Sequence, residues 1–233
     1  MGKFESSHRG QGPLRWVDGE GWLVALGGGD WRRGETDVVD AQVLSIANLD
    51  RPMVVLLSDG ARQEAEGVLE HYTLLGGPSG EAFTLRDMSR SQLQAPDLLD
   101  LLAEAGILYL GGDNPLPLVR NLYQTEALQR IVAGYTTLQG LIIVGAGGGA
   151  AALGAWIAPQ VRGLGFLMNT LIVPHFTRTE DTHLRETLPQ FGPNLLGLGI
   201  PDGAALALGP RSQVDTWGAG SVTAVVNLHT EED

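Results

Sequence analysis

The stretch LIIVGAGGGAAALGAW (residues 141–156) joins four apolar residues to a burst of glycines and then to a run of small residues suited to a helix. A short apolar run closed by Gly fits a strand buried on both faces of a parallel sheet. A strand that turns through glycines into a helix is where α/β proteins carry a phosphate loop or a nucleophile. The same pattern recurs upstream. WLVAL (22–26) leads into GGGD, MVVLL (53–57) into SDG, and ILYL (107–110) into GGDN, each with a helical pattern behind it. Those segments are long enough for right-handed crossovers between parallel strands. Beyond residue 170, TLIVPHF, LLGLGI, AALALG, QVDTWG and SVTAVVNL read as strands joined by short turns. The expected fold is α/β: a three-layer α/β/α sandwich with a mainly parallel sheet and antiparallel strands towards the C-terminus. Residues 1–20, polar and Gly-rich, read as a tail or a leading strand, and residues 21–233 as one domain.

Composition narrows the function classes. With 233 residues, 43% hydrophobic and 18% charged, the chain matches ordinary globular domains and has ample material for a core. No apolar run reaches the ~18 residues of a membrane span, so no membrane partner is expected. A net charge of −12 argues against nucleic acid, which needs clustered Lys and Arg. With no cysteine there is no disulfide, thiolate metal site or cysteine nucleophile, and a cytoplasmic location is the default. A homodimer is an allowed assembly.

Two chemistries compete for the glycine turn. Gly145-x-Gly147-x-x-Ala150 fits a dinucleotide fingerprint, which also requires an acidic residue about 20 positions on to hold a ribose. No Asp or Glu occurs from 127 to 179, so no cofactor is expected, and nucleotide binding by this turn stands as an alternative. The other chemistry is a nucleophile elbow, whose centre would be Gly147. Glycine-rich turns at 27–30, 111–114 and 145–149 each close an expected strand, and ligands of open α/β sheets bind at such ends.

GAGGGA resembles the G-x-S-A-G-A elbow of the dipeptidase E and cyanophycinase family of serine peptidases, whose fold is like that of class I glutamine amidotransferases. ALGGGD, LYLGGDNPLPLVRNL, LIVPHFTR and GLGIPDGAAL resemble further family segments in the same order, from about Trp22 to the C-terminus. The resemblance implies that Gly147 stands in the place of the serine and His175 in that of the general base. It implies an oxyanion hole from the N–H of Gly148 and that of Gly111 or Gly112. Two departures are plain. No Ser, Thr or Cys occurs from 138 to 169, and no carboxylate lies between the elbow and His175, where the family usually carries one.

Gly28, Asp113, Asn114 and Arg178 are further cleft or ligand candidates. Asp113 and Asn114 also suit a turn before Pro115, and Arg178 and Arg185 suit either an acidic substrate or solvent. Asp202, in IPDG, reads as a turn residue. His175, Glu180, Asp181 and His183 match no compact zinc spacing, and TEDTHLRETL reads as a capped helix start, so no metal is expected. The function expected from these residues is that of a peptidase homologue that is non-catalytic or strongly impaired, keeping a cleft for a peptide or a small polar ligand. The alternative is an active hydrolase with a rearranged nucleophile, such as Thr170, Ser58 or a His-activated water.

Overall fold

The structure, a computed structural model, describes residues 8–137 and 139–227. From residue 8 the leading segment is a hairpin, β1 (His8–Gln11) and β2 (Leu14–Val17), turned at Gly12 with φ 57°. Trp16 is fully buried and ties the hairpin to the core. The chain continues through β3 (Trp22–Leu26), α1 (Asp37–Ile46), β4 (Met53–Leu57), α2 (Arg62–Leu74), β5 (Gly80–Thr84), α3 (Pro96–Glu104) and β6 (Ile107–Gly111). Next come α4 (Leu116–Leu122), α5 (Glu126–Thr136), β7 (Ile142–Ala146), α6 (Gly148–Leu153), β8 (Trp156–Ala158), β9 (Val161–Arg162) and β10 (Leu167–Met168). Last are β11 (Thr170–Val173), α7 (Asp181–Thr187), β12 (Leu195–Gly199), β13 (Ala204–Leu208), β14 (Val214–Gly218) and β15 (Thr223–Asn227).

The central sheet has the order β14-β13-β3-β7-β6-β4-β5, parallel from β3 to β5, with β13 and β14 antiparallel at one edge. Alternate side chains of each central strand enter different cores. Val54, Leu56, Leu108 and Leu110 pack towards α3, α4, α5 and α6, while Met53, Val55, Leu57 and Ile107 pack towards α1 and α2. This accounts for the unbroken apolar runs and gives the expected three layers.

One expectation needs amending. β11 and β12 do not join the central sheet; with β8, β9 and β15 they build a second sheet of order β15-β12-β11-β8-β9. Both flanks of β7 are already taken by β3 and β6. Moreover α6 has six residues, about 9 Å of helix. That is shorter than the roughly 16 Å of a five-residue strand, and the chain passes from it into β8 of the second sheet. The helical stretch after GGDN also divides into α4 and α5, broken where Gln124 takes φ 57°.

A buried polar cluster joins α1 to α2. Asp40, 1% exposed, accepts from Thr36 Oγ1 at 2.7 Å and Tyr72 Oη at 2.6 Å, and it pairs with His71 Nε2 at 2.9 Å. The hydrogen bond to Asp40 raises the His71 pKa; burial opposes this, and the charges of Asp40 and Asp37 add to the rise. A folded pKa above the unfolded value means the native state holds the proton more tightly. The stabilisation is therefore complete below the unfolded pKa of about 6.5 and is lost as pH rises through the folded one. Urea midpoints of the wild type are expected to show a falling contribution across that window that is missing from His71→Gln; parallel profiles for the two proteins would exclude it.

Candidate active site

The C-terminal ends of neighbouring strands β3, β7, β6 and β4 lie side by side and open on a cavity of about 320 Å³. Gly28, Trp31, Glu64, Tyr109, Gly147 and His175 are among the residues that line it. The size falls in the lower part of the range of roughly 300–1,000 Å³ usual for small-molecule sites. Burial, with a smaller effect of Asp40, pushes the Tyr109 phenol well up, so it stays neutral. Its hydroxyl hydrogen-bonds to no described residue, although the side chain lines the cavity and is 8% exposed.

Gly147 has φ 55° and ψ −120° at the start of α6. Elbow nucleophiles occupy such strained backbone, which glycine adopts at little cost. A Cβ built here stands 3.3 Å from His175 Nε2 and 3.3 Å from the Gly112 carbonyl oxygen. A side chain here would therefore stand between the imidazole and the Gly112 carbonyl. No side chain is there.

His175 follows β11 and itself has φ 52°, a conformation that costs a non-glycine residue about 1–3 kcal/mol and clusters at functional sites. Its backbone N–H donates to the Gly27 carbonyl at 2.9 Å, which pins the second sheet to the mouth of the first. Its Nδ1 lies 2.7 Å from Asp202 Oδ1. A carboxylate at Nδ1 favours the tautomer with the proton there, leaving Nε2 as the base facing position 147. Both partners are half-exposed.

A carboxylate does therefore meet the histidine, from beyond it in the chain instead of before it, and Asp202, read above as a turn residue, pairs with His175. The pairing of β11 with β12 explains the arrangement. They are parallel with Val173 opposite Gly199, so residues just past each arrive at the same end. Gly28, with φ 137°, makes room for the pair: a Cβ there would run into the His175 ring and come within 2.6 Å of Asp202 Oδ1.

The oxyanion positions look different. The N–H of Gly148 donates to the Gly112 carbonyl at 2.7 Å, and that of Gly147 donates to Leu26 at 3.1 Å. The Gly148 amide, which the resemblance assigns to an oxyanion hole, is therefore engaged by main chain, as is the Gly147 amide of the same turn. Gly111 is buried, and its carbonyl accepts from Ser58. Asp113 lines the cavity with an exposed side chain. Asn114 is drawn into the turn, its Oδ1 accepting from Leu116 N at 3.0 Å, and it does not line the cavity. Arg178 is exposed on a 3-10 turn after His175 and is likewise not among the lining residues. Neither substitute nucleophile lines it either: Thr170 donates its hydroxyl to the Met168 carbonyl, and Ser58 donates to Asp59.

The sequence pattern of peptidase family S51 matches residues 23–212. The chain belongs to peptidase family S51. A crystal structure of a peptidase from an acI-B1 actinobacterium is similar with a TM-score of 0.61, at 20% identity, over 96% of this chain and 95% of that one. A protein from Listeria monocytogenes EGD-e described as a candidate peptidase E is similar with a TM-score of 0.58, at 16% identity, over 86% of this chain and 99% of that one. At such identities the likeness is one of fold. No curated protein matches the chain. The S51 match spans Gly147, His175 and Asp202, so all three lie inside the family region.

Proposed function

We propose that this S51 member does not form an acyl-enzyme, and that it retains the cleft as a binding site for a peptide or a small polar ligand. The observation that carries this reading is Gly147: the position whose Cβ would stand 3.3 Å from His175 Nε2 bears no oxygen. Covalent acyl transfer needs a nucleophile beside the base. The cavity supports a binding role through its mixed lining. Leu57, Val68 and Ala146 supply apolar surface, Tyr109 a neutral hydroxyl, and Glu64, Asp113 and Arg32 charge. Incubation of the wild type with a panel of short peptides, followed by amide NMR and by product analysis, is expected to show shifts at Gly28 and Gly147 without cleavage. Peptide turnover abolished by His175→Ala would overturn the non-catalytic reading.

The His175–Asp202 pair gives one observation in favour of a second reading. A base oriented in this way can activate water directly. Hydrolysis by that route would depend on Asp202 yet give no covalent intermediate, which the same product analysis with Asp202→Asn separates from the first reading.

A further inference from the structure

The closed oxyanion position has an identifiable cause. The Gly112–Asp113 peptide turns its carbonyl towards Gly148, whose N–H it takes at 2.7 Å, and its N–H towards Asp59. Asp59 holds the other side of that peptide. Its Oδ1 accepts from Asp113 N at 3.0 Å and its Oδ2 from Asn114 N at 3.2 Å, while Ser58 Oγ donates to Oδ1 at 2.9 Å. Gly112 sits at φ 104°, and a Cβ there would collide with Ser58 Oγ and Asp59 Oδ1, so only glycine lets the carboxylate come so close. Glycine is also the residue that permits a peptide plane to turn over with little steric resistance.

We infer that Asp59 is a positioning residue that latches the Gly112–Asp113 peptide in the orientation that blocks the Gly148 amide, and that loosening this latch opens the oxyanion hole. Rotation of the peptide plane by about half a turn withdraws the Gly112 carbonyl from Gly148 and swings the Asp113 N–H out of the carboxylate. Two donors then stand beside position 147 where one carbonyl stood. The hydrogen bond that Asp59 accepts from Asp113 N–H is charge-assisted and hence strong, and it exists only in the closed orientation of this peptide. The inference extends the proposed function from the missing nucleophile to a second feature of the same site, and it rests on reading Gly148 as the residue after the nucleophile position.

The test uses Asp59→Asn, which removes the charge and turns one acceptor into a donor that faces an amide N–H. In the full-length protein, hydrogen exchange of the Gly148 amide is expected to speed up by about ten- to a hundredfold, the factor carried by one hydrogen bond to a charged group, with the central strands unchanged. In the Gly147→Ser background, adding Asp59→Asn is expected to raise the rate of fluorophosphonate labelling by about tenfold or more, since one oxyanion donor is worth roughly 10²–10³. Asp59→Ala, which removes both acceptors, gives changes in the same direction and serves if Asp59→Asn does not fold. Unaltered Gly148 exchange in a folded variant, or labelling no faster than in Gly147→Ser alone, overturns the latch. An absence of labelling in Gly147→Ser itself tells instead against the elbow reading.

Discussion

Gly147→Ser is expected to convert an inert turn into one that a fluorophosphonate modifies, with a rate that depends on Asp202. The new Oγ would sit one bond beyond a Cβ that is 3.3 Å from His175 Nε2, within reach of a hydrogen bond. Nε2 can take the hydroxyl proton as the oxygen attacks phosphorus and fluoride leaves, because Nδ1 is held by Asp202 at 2.7 Å. Adding Asp202→Asn should slow labelling by about 10²–10⁴-fold, in line with the loss of such a carboxylate in serine proteases. The gain carries a stability cost. A serine at φ 55° and ψ −120° brings about 1–3 kcal/mol of backbone strain. At roughly 2–4 °C per kcal/mol for a chain of this size, the variant should melt a few degrees lower. Its Cβ would also press the Gly112 carbonyl oxygen, 3.3 Å away, so that loop must yield by a few tenths of an ångström. Calorimetry and labelling kinetics on the single and double variants check both parts. Equal labelling of the two would remove Asp202 from the account.

The largest loss of stability is expected from Asp40→Ala, outside the cleft. Asp40 is 1% exposed and receives Thr36, Tyr72 and His71 together. Removing it strands two hydroxyl donors and an imidazole in the space between α1 and α2. Breaking a buried charged cluster from one side costs about 3–5 kcal/mol, or very roughly 6–20 °C in Tm. Tyr72→Phe removes one donor and leaves the acceptor satisfied by the others, so it should cost only about 1–3 kcal/mol. Thermal melts rank the two variants, and an Asp40→Ala protein as stable as Tyr72→Phe would show that the cluster is not a unit. Trp31 stacks near His71, with ring centroids 5.7 Å apart, and also lines the cavity, so the cluster supports one wall of the site.

The parts of the fold that could be read from the sequence are those whose signal is local. WLVAL, MVVLL, ILYL and LIIV announce themselves because a strand covered on both faces has no room for polar residues, and each is a central strand. β5, GEAFT, carries no such run because it is an edge strand with a mixed pattern of burial. The elbow was visible as glycines, since the close approach of α6 to β6 and the positive φ of Gly147 both require them. Asp202 was harder. Its partner lies 27 residues away, and their meeting depends on the register of β11 with β12 in a separate sheet, which no local pattern encodes. The signal that could have found it is the position itself: a carboxylate just past the end of an apolar strand, where α/β sheets place ligands. Asp59 was hidden for the same reason, because it contacts residues 54 and 55 positions later. Asp40 did leave a local trace, as an acidic residue within the buried stripe Val39, Asp40, Val43 and Leu44 of α1.

On the proposed reading, position 147 is a nucleophile site without its oxygen, set beside the His175 base. Intact-protein mass spectrometry after incubation with a fluorophosphonate tests it most directly, with wild type and Gly147→Ser treated in parallel. The account predicts no adduct on the wild type and a single adduct on the variant, mapped by peptide sequencing to position 147. An adduct on any cleft residue of the wild type, or a folded Gly147→Ser protein that stays unmodified, would contradict it.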